Sequence, residues 1–205
     1  MYDLSHIKAI RQHLKPHFSR EEQISSALEE LKLLEPYTAG HSYRVGLIAG
    51  KIASALDFSS ELIQKITFGG MLHDIGKSGV SIAALCKPSK LSDEEFSDIK
   101  KHPELGAQLV QVSPKLIDLI PAILYHHERI DGCGYPFGLS GDMIPIEAKV
   151  IAVADTYDAM TSNRSYRQAL SHDIAINELT RCINQQFDPM IVQGALQANL
   201  ESLEL

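Results

Sequence analysis

Tryptophan is missing from the 205 residues, and phenylalanine and tyrosine bring the aromatic share to only 6%. A stacking surface for single-stranded nucleic acid is therefore not expected. Positive charge is also scarce: 19 Lys and Arg against 26 Asp and Glu leave a net charge of −7. That argues against a broad face for DNA or RNA phosphates, so any anionic ligand must be drawn by a local site. The three cysteines, Cys86, Cys133 and Cys182, are odd in number and form no CxxC pair. Neither a disulfide framework nor a thiolate zinc site is expected, and the default is a reduced cytoplasm. No apolar run approaches the roughly 18 residues of a membrane span. The N-terminal "MYDLSHIKAIRQHLKPHF" lacks the regions of a secretory signal.

What is present is helical pattern from end to end. Leu4, Ile7, Ile10 and Leu14 recur at helical spacing, as do the apolar residues of 21–34. Pro36 and Gly40 are read as bracketing a turn, followed by a long helix from about His41 to Leu56. That helix carries Val45, Ile48, Ala49 and Ile52 on one face. The next apolar stripe runs through Leu62, Ile63, Ile66 and Met71 to His73, where Gly76 suits a left-handed residue after a helix end. Ser92 and Glu95 form a capping box, and His102-Pro103 reads as a helix restart. Pro121 is expected to kink or break "PKLIDLIPAILYHHE". After one turn-rich stretch near residues 128–145, helices are expected over 146–161, from near Ser171, and from Asp188-Pro189. No convincing strand pair is found, so the expected fold class is all-α, a compact helical bundle with one ordered loop.

Nine histidines are unevenly placed. His6, His13, His17 and His172 lie in polar surroundings and read as solvated surface residues. His41, His73, His102, His126 and His127 lie on or beside apolar helical stretches. Any one of them alone would be a hydrogen-bonded core histidine. Asp155, however, ends the apolar run "VIAVAD", where an ionised carboxylate is costly unless paired or bound to a cation. The adjacent pairs His73-Asp74 and His126-His127 can serve two neighbouring ions or wrap one near a helix end. Five imidazoles and two carboxylates suffice for two ions if one carboxylate bridges them. Imidazole and carboxylate without thiolate suit iron, manganese, zinc, nickel or cobalt. Such a centre stays cationic and suits a phosphate ester. Lys77, one turn beyond Asp74, is placed to neutralise a phosphate oxygen, and Arg164 and Arg167 to clamp a second phosphate.

The strings "YTAGHSYRV", "LHDIGK", "KPSKLSDEEF", "KHPELGA", "HHERIDGCGYP" and "IAVADTYDAMTSNRSYRQAL" occur in that order. Together, from about residue 32 to residue 195, they resemble the HD-GYP family of HD phosphohydrolases. The resemblance implies an HD-domain bundle over 32–205, preceded by a short helical extension over 1–31. It implies a di-iron or di-manganese centre hydrolysing cyclic dinucleotides, principally cyclic di-GMP, in bacterial signalling. By motif position His41, His73, Asp74 and Asp155 would bind one ion. Asp74 would bridge to a second held by His102, His126 and His127. Lys77 would contact the phosphate, Gly134, Tyr135 and Pro136 would shape the substrate pocket, and Arg164 and Arg167 would meet the other phosphate. Asp158 matches a supporting or substrate-contacting position.

Two departures bear on the expectation. Family members with a third metal carry a glutamate four residues before the first histidine; Tyr37 stands there, and Glu35 is out of register. A two-metal site stopping at linear pGpG is therefore expected. Such domains usually follow a sensory domain, for which residues 1–31 are too few; they would form a helical cap, a dimer contact or a remnant. A homodimer or a diguanylate cyclase of the GGDEF type is the implied protein partner. Rival readings are a cyclic GMP-AMP or nucleotide monoester hydrolase, a silent cyclic di-GMP sensor, and an oxygen-activating di-iron enzyme. Intact ligands, Lys77 and an unbroken GYP favour hydrolysis.

Overall fold

The computed structural model describes residues 4–85, 87, 89–163 and 167–202. Among these the elements are all helical, and an isolated bridge pairs Ile183 with Phe187. Helices α1 (Leu4–His13) and α2 (Arg20–Leu34) lead into the longest, α3 (Pro36–Ala55), and then α4 (Ser60–Leu72). Short helices α5 (Ile82–Leu85) and α6 (Asp93–Ile99) precede α7 (His102–Val110) and α8 (Ile120–Tyr125). The chain closes with α9 (Ile146–Thr161), α10 (His172–Arg181) and α11 (Pro189–Gln197).

Helix α9 is apolar nearly all round, and a helix of that kind belongs in the middle of a fold. Val150, Ile151, Val153 and Ala154 are fully buried. Around them gather Val45, Ile48 and Ile52 of α3, Ile66 of α4, Leu179 of α10 and Ile191 of α11. A second apolar cluster joins Ile10, Ile24 and Leu31 of α1 and α2 to Leu72, Leu109 and Ile123. Helices α3 and α4 meet backbone to backbone, because a Cβ on Gly70 would lie 2.8 Å from Gly46 Cα. This glycine seam draws the middle of α3 alongside the C-terminal end of α4.

Three local expectations are corrected. The segment Pro36–Gly40 is the first turn of α3 rather than a separate turn. Proline is tolerated there because the first helical N–H needs no partner. The Glu35 carboxylate caps the helix, accepting from Tyr37 N at 3.2 Å and Thr38 N at 2.6 Å. Gly76 does not take a left-handed conformation; it lies inside a 3₁₀ turn, Ile75–Gly79. It is glycine because a Cβ there would stand 1.9 Å from His102 O. Pro121 breaks the helical stretch as expected: a 3₁₀ turn at Ile117–Leu119 ends before it, and the proline lies in the first turn of α8. Of the histidines that read as solvated surface residues, His6 and His13 both face Glu30, and His172 Nδ1 lies 2.9 Å from the Tyr157 hydroxyl.

Candidate metal centre

Four of the five histidines of the apolar set stand at or next to a helix end, and the fifth in the second turn of its helix. His41 lies early in α3. His73 is the residue after α4, and Asp74 immediately precedes the 3₁₀ turn Ile75–Gly79. His102 opens α7, His126 and His127 follow α8, and Asp155 projects from the middle of α9. His41, His73, Asp74, His102 and His126 are all buried. Three overlapping groups could each hold a metal: His41, His73 and Asp155; His73, Asp74 and His126; His102, His126 and His127.

The nitrogens are oriented by the backbone. His73 Nδ1 is 2.7 Å from Gly70 O, His102 Nδ1 2.8 Å from Ile99 O, and His126 Nδ1 2.8 Å from Ile123 O. A carbonyl only accepts, so each Nδ1 carries the proton and each Nε2 presents a lone pair to the centre. The Nε2 atoms of His102 and His126 then face each other at 3.2 Å. Two lone pairs at that distance repel unless a cation lies against both. The Asp74 carboxylate divides between the groups. Its Oδ1 lies 3.3 Å from His102 Nε2, and its Oδ2 lies 3.3 Å from His73 Nε2. Oδ1 is buried without a hydrogen-bond partner. An orphaned carboxylate oxygen beside bare imidazole lone pairs is a donor set that fits a divalent transition metal.

Electrostatics agree with the donor geometry. Burial holds His126 well below its ordinary value, and takes His102 from 6.5 to about 3 and His127 from 6.5 to about 4. All three are neutral at physiological pH, the state in which an imidazole can bind a metal. For His41, burial pulls down, but hydrogen bonds to Asp155 and Asp158 outweigh it and raise the imidazole to about 9. Its Nε2 is 3.0 Å from Asp155 Oδ1, so a proton there occupies the position a metal would take between the two. Burial opposes ionisation of Asp74, yet the charge of Lys77 and the interaction with His73 keep it ionised, well below the usual carboxylate range.

Residues 9–191 match the HD domain family. The chain belongs to that family, in its HD-GYP group. It is 36% identical over 200 residues to the cyclic di-GMP phosphodiesterase PA4108 of Pseudomonas aeruginosa, covering 96% of this chain and 47% of that protein. It is also 36% identical over 186 residues to the cyclic di-GMP phosphodiesterase response regulator RpfG of Xanthomonas campestris pv. campestris, covering 89% and 49%. The crystal structure of a cyclic GMP-AMP-specific phosphodiesterase of Vibrio cholerae superposes with a TM-score of 0.57 at 30% identity, over 89% of this chain and 41% of that one. The chain spans about half the length of the curated relatives it matches. No helix among the described residues is long and apolar enough to cross a membrane.

Around the centre of this HD domain the remaining side chains take distinct places. Lys77 Nζ donates to Asp74 Oδ2 at 2.6 Å. The Tyr135 ring stacks on His127 with centroids 4.6 Å apart, and Gly134 packs on the backbone of residues 127–129. Pro136 follows Tyr135 through a cis peptide bond. Asp158 receives His41 Nδ1 at 2.7 Å and both Arg44 Nε and Nη2, at 2.6 and 3.0 Å. The Arg167 guanidinium donates to the carbonyls of Ala159 and Met160 at the end of α9. Arg164 lies outside the described residues.

Two residues that the sequence did not single out organise this HD-GYP site. Arg44 follows His41 by one helical turn, and that spacing was the available signal for a shared partner. Glu128 is buried, and its carboxylate accepts from Phe137 N at 2.8 Å and Leu139 N at 2.9 Å, pinning the GYP loop. No local pattern announces such a contact, because its partners are backbone groups 9 and 11 residues away.

Proposed function

We propose that this HD domain is a metal-dependent cyclic dinucleotide phosphodiesterase that opens cyclic di-GMP to linear pGpG. The observation that carries the reading is Asp74, whose two oxygens face two different sets of imidazole nitrogens, as a bridging carboxylate between two ions requires. His41, His73 and Asp155 would complete one ion's set and His102, His126 and His127 the other's. Divalent ions bound there would supply Lewis acidity toward a phosphate oxygen and acidify a water to a nucleophile near neutral pH. Iron or manganese is the choice the family implies.

The chain's own residues do the rest. The backbone carbonyls behind His73, His102 and His126 fix the imidazole tautomers before substrate arrives. Lys77 is anchored on Asp74 at the edge of the centre, placed to offset charge that builds on a non-bridging phosphate oxygen. Tyr135, stacked on His127, would form one wall beside the reacting phosphate. Glu35 spends its carboxylate on the start of α3, and Tyr37 occupies the position of the third-metal glutamate. Both support a two-ion centre and a product that stops at pGpG.

The test is an anaerobic assay of protein loaded with iron(II) or manganese(II), offered cyclic di-GMP and cyclic GMP-AMP separately, with products resolved by chromatography. Conversion of cyclic di-GMP to pGpG, abolished by Asp74→Ala, is expected. Preference for cyclic GMP-AMP would move this chain to the specificity of the Vibrio cholerae protein. Tight binding without turnover in metal-replete protein would make it a sensor.

A further inference from the structure

Lys100, the residue after α6, is placed unlike its neighbours. Lys87 donates to Glu95 at 2.7 Å and Lys101 to Asp98 at 2.9 Å. Among the described residues Lys100 has no carboxylate or hydrogen-bonding partner for its ammonium, which lies instead over two aromatic rings. Its Nζ is 4.6 Å from the Phe96 centroid and 5.3 Å from that of Tyr135. Tyr135 in turn stacks on His127, so the ammonium stands one ring beyond the metal centre. The flanking apolar surface is open: Phe96 is 47% exposed and Phe137, packed on Tyr125, 58%.

From this arrangement we propose that Lys100, with Phe96 and Tyr135, reads a guanine base of the cyclic dinucleotide; the inference rests on the phosphodiesterase reading above. An ammonium only donates hydrogen bonds. Guanine offers two adjacent acceptors, O6 and N7, whereas adenine replaces O6 with an amino group that also donates. An exposed ring supplies a stacking face for any base. The combination accepts a purine on its face and selects guanine at its edge. Cation–π contact holds the ammonium in place without neutralising it, leaving its donors available.

The experiment measures calorimetric affinities of manganese-loaded protein for cyclic di-GMP and cyclic di-AMP, in wild type, Lys100→Met and Lys100→Arg. Wild type should favour cyclic di-GMP. Lys100→Met should weaken cyclic di-GMP binding about tenfold and leave cyclic di-AMP nearly unaffected, whereas Lys100→Arg should keep the preference. A ratio of affinities unchanged by Lys100→Met overturns the proposal, whether both affinities stay or both fall together, as they would for a purely structural or phosphate contact. Binding without turnover would remove the phosphodiesterase reading while the ratio still decides the role of Lys100. No measurable binding of either dinucleotide by wild type would overturn both.

Discussion

His102 Nε2 and His126 Nε2 face each other at 3.2 Å, each with its other ring nitrogen committed to a backbone carbonyl. The backbone thus holds two bare lone pairs together in a buried place. Added manganese should relieve that repulsion and stabilise the fold, by about 2.7 kcal/mol at a free concentration a hundredfold above Kd. His102→Ala should lose the part of this increment that belongs to its site, and should cost less stability in chelated protein than in loaded protein. Urea denaturation with and without manganese measures both.

Acid should unfold the chelated protein early. His102, His126 and His127 are kept neutral by burial, with folded values of about 3 for His102 and about 4 for His127 against 6.5 for the free side chain. Below 6.5 the unfolded chain binds more protons than the folded one. The stability these groups contribute is full above 6.5 and is lost as pH falls through the folded values. His41 acts oppositely: raised to about 9, it contributes stability that is full below 6.5 and lost as pH rises through 9. The urea midpoint of chelated protein should peak near neutrality. A midpoint at about pH 5 equal to that at about pH 7 would contradict the burial of these neutral imidazoles. In loaded protein the alkaline loss should vanish, since the metal replaces the His41 proton.

Asp158 orients His41 and is itself held by Arg44. An amide at this position cannot accept from both as a carboxylate does. Asp158→Asn should weaken metal binding at the His41 group about 10- to 100-fold while sparing the His102 group. Calorimetric titration of manganese into chelated variant should resolve one weakened and one unchanged step; two unchanged steps would show that Asp158 does not set the ligand.

Gly76→Ala should be among the costliest single substitutions in the chain. Its Cβ would meet backbone, His102 O and Gly106 N, with no flexible side chain able to yield. A loss of about 3 kcal/mol is expected, together with weaker metal binding because α7 must retreat with His102. Thermal unfolding and metal content of the variant check the two halves separately.

The helices legible in the sequence were those whose burial is periodic or complete. Helix α9 announces itself by its apolar run, and α11 by Asp188 capping ahead of a proline. Less legible were places where one residue serves two purposes. Gly40 reads as a turn residue but lies inside α3, because Glu35 caps the helix earlier. Gly76 reads as a helix terminator but is small to admit the backbone of α7. In the site, the metal-binding residue types stand out against apolar neighbours, and the chain brings them to one place. Their supports stand out less: Asp158 is reached through the family resemblance alone and Arg44 by no reading of the sequence, because their meeting joins helices 114 residues apart.

The bridging role of Asp74 is tested most directly by electron paramagnetic resonance of manganese(II)-loaded protein, with metal content measured on the same sample. The account predicts two ions per chain and the signal of an exchange-coupled pair, replaced in Asp74→Ala by that of uncoupled manganese. Isolated-ion spectra from fully loaded wild type would mean that Asp74 does not join two metals, and the proposed centre would have to be rebuilt around one.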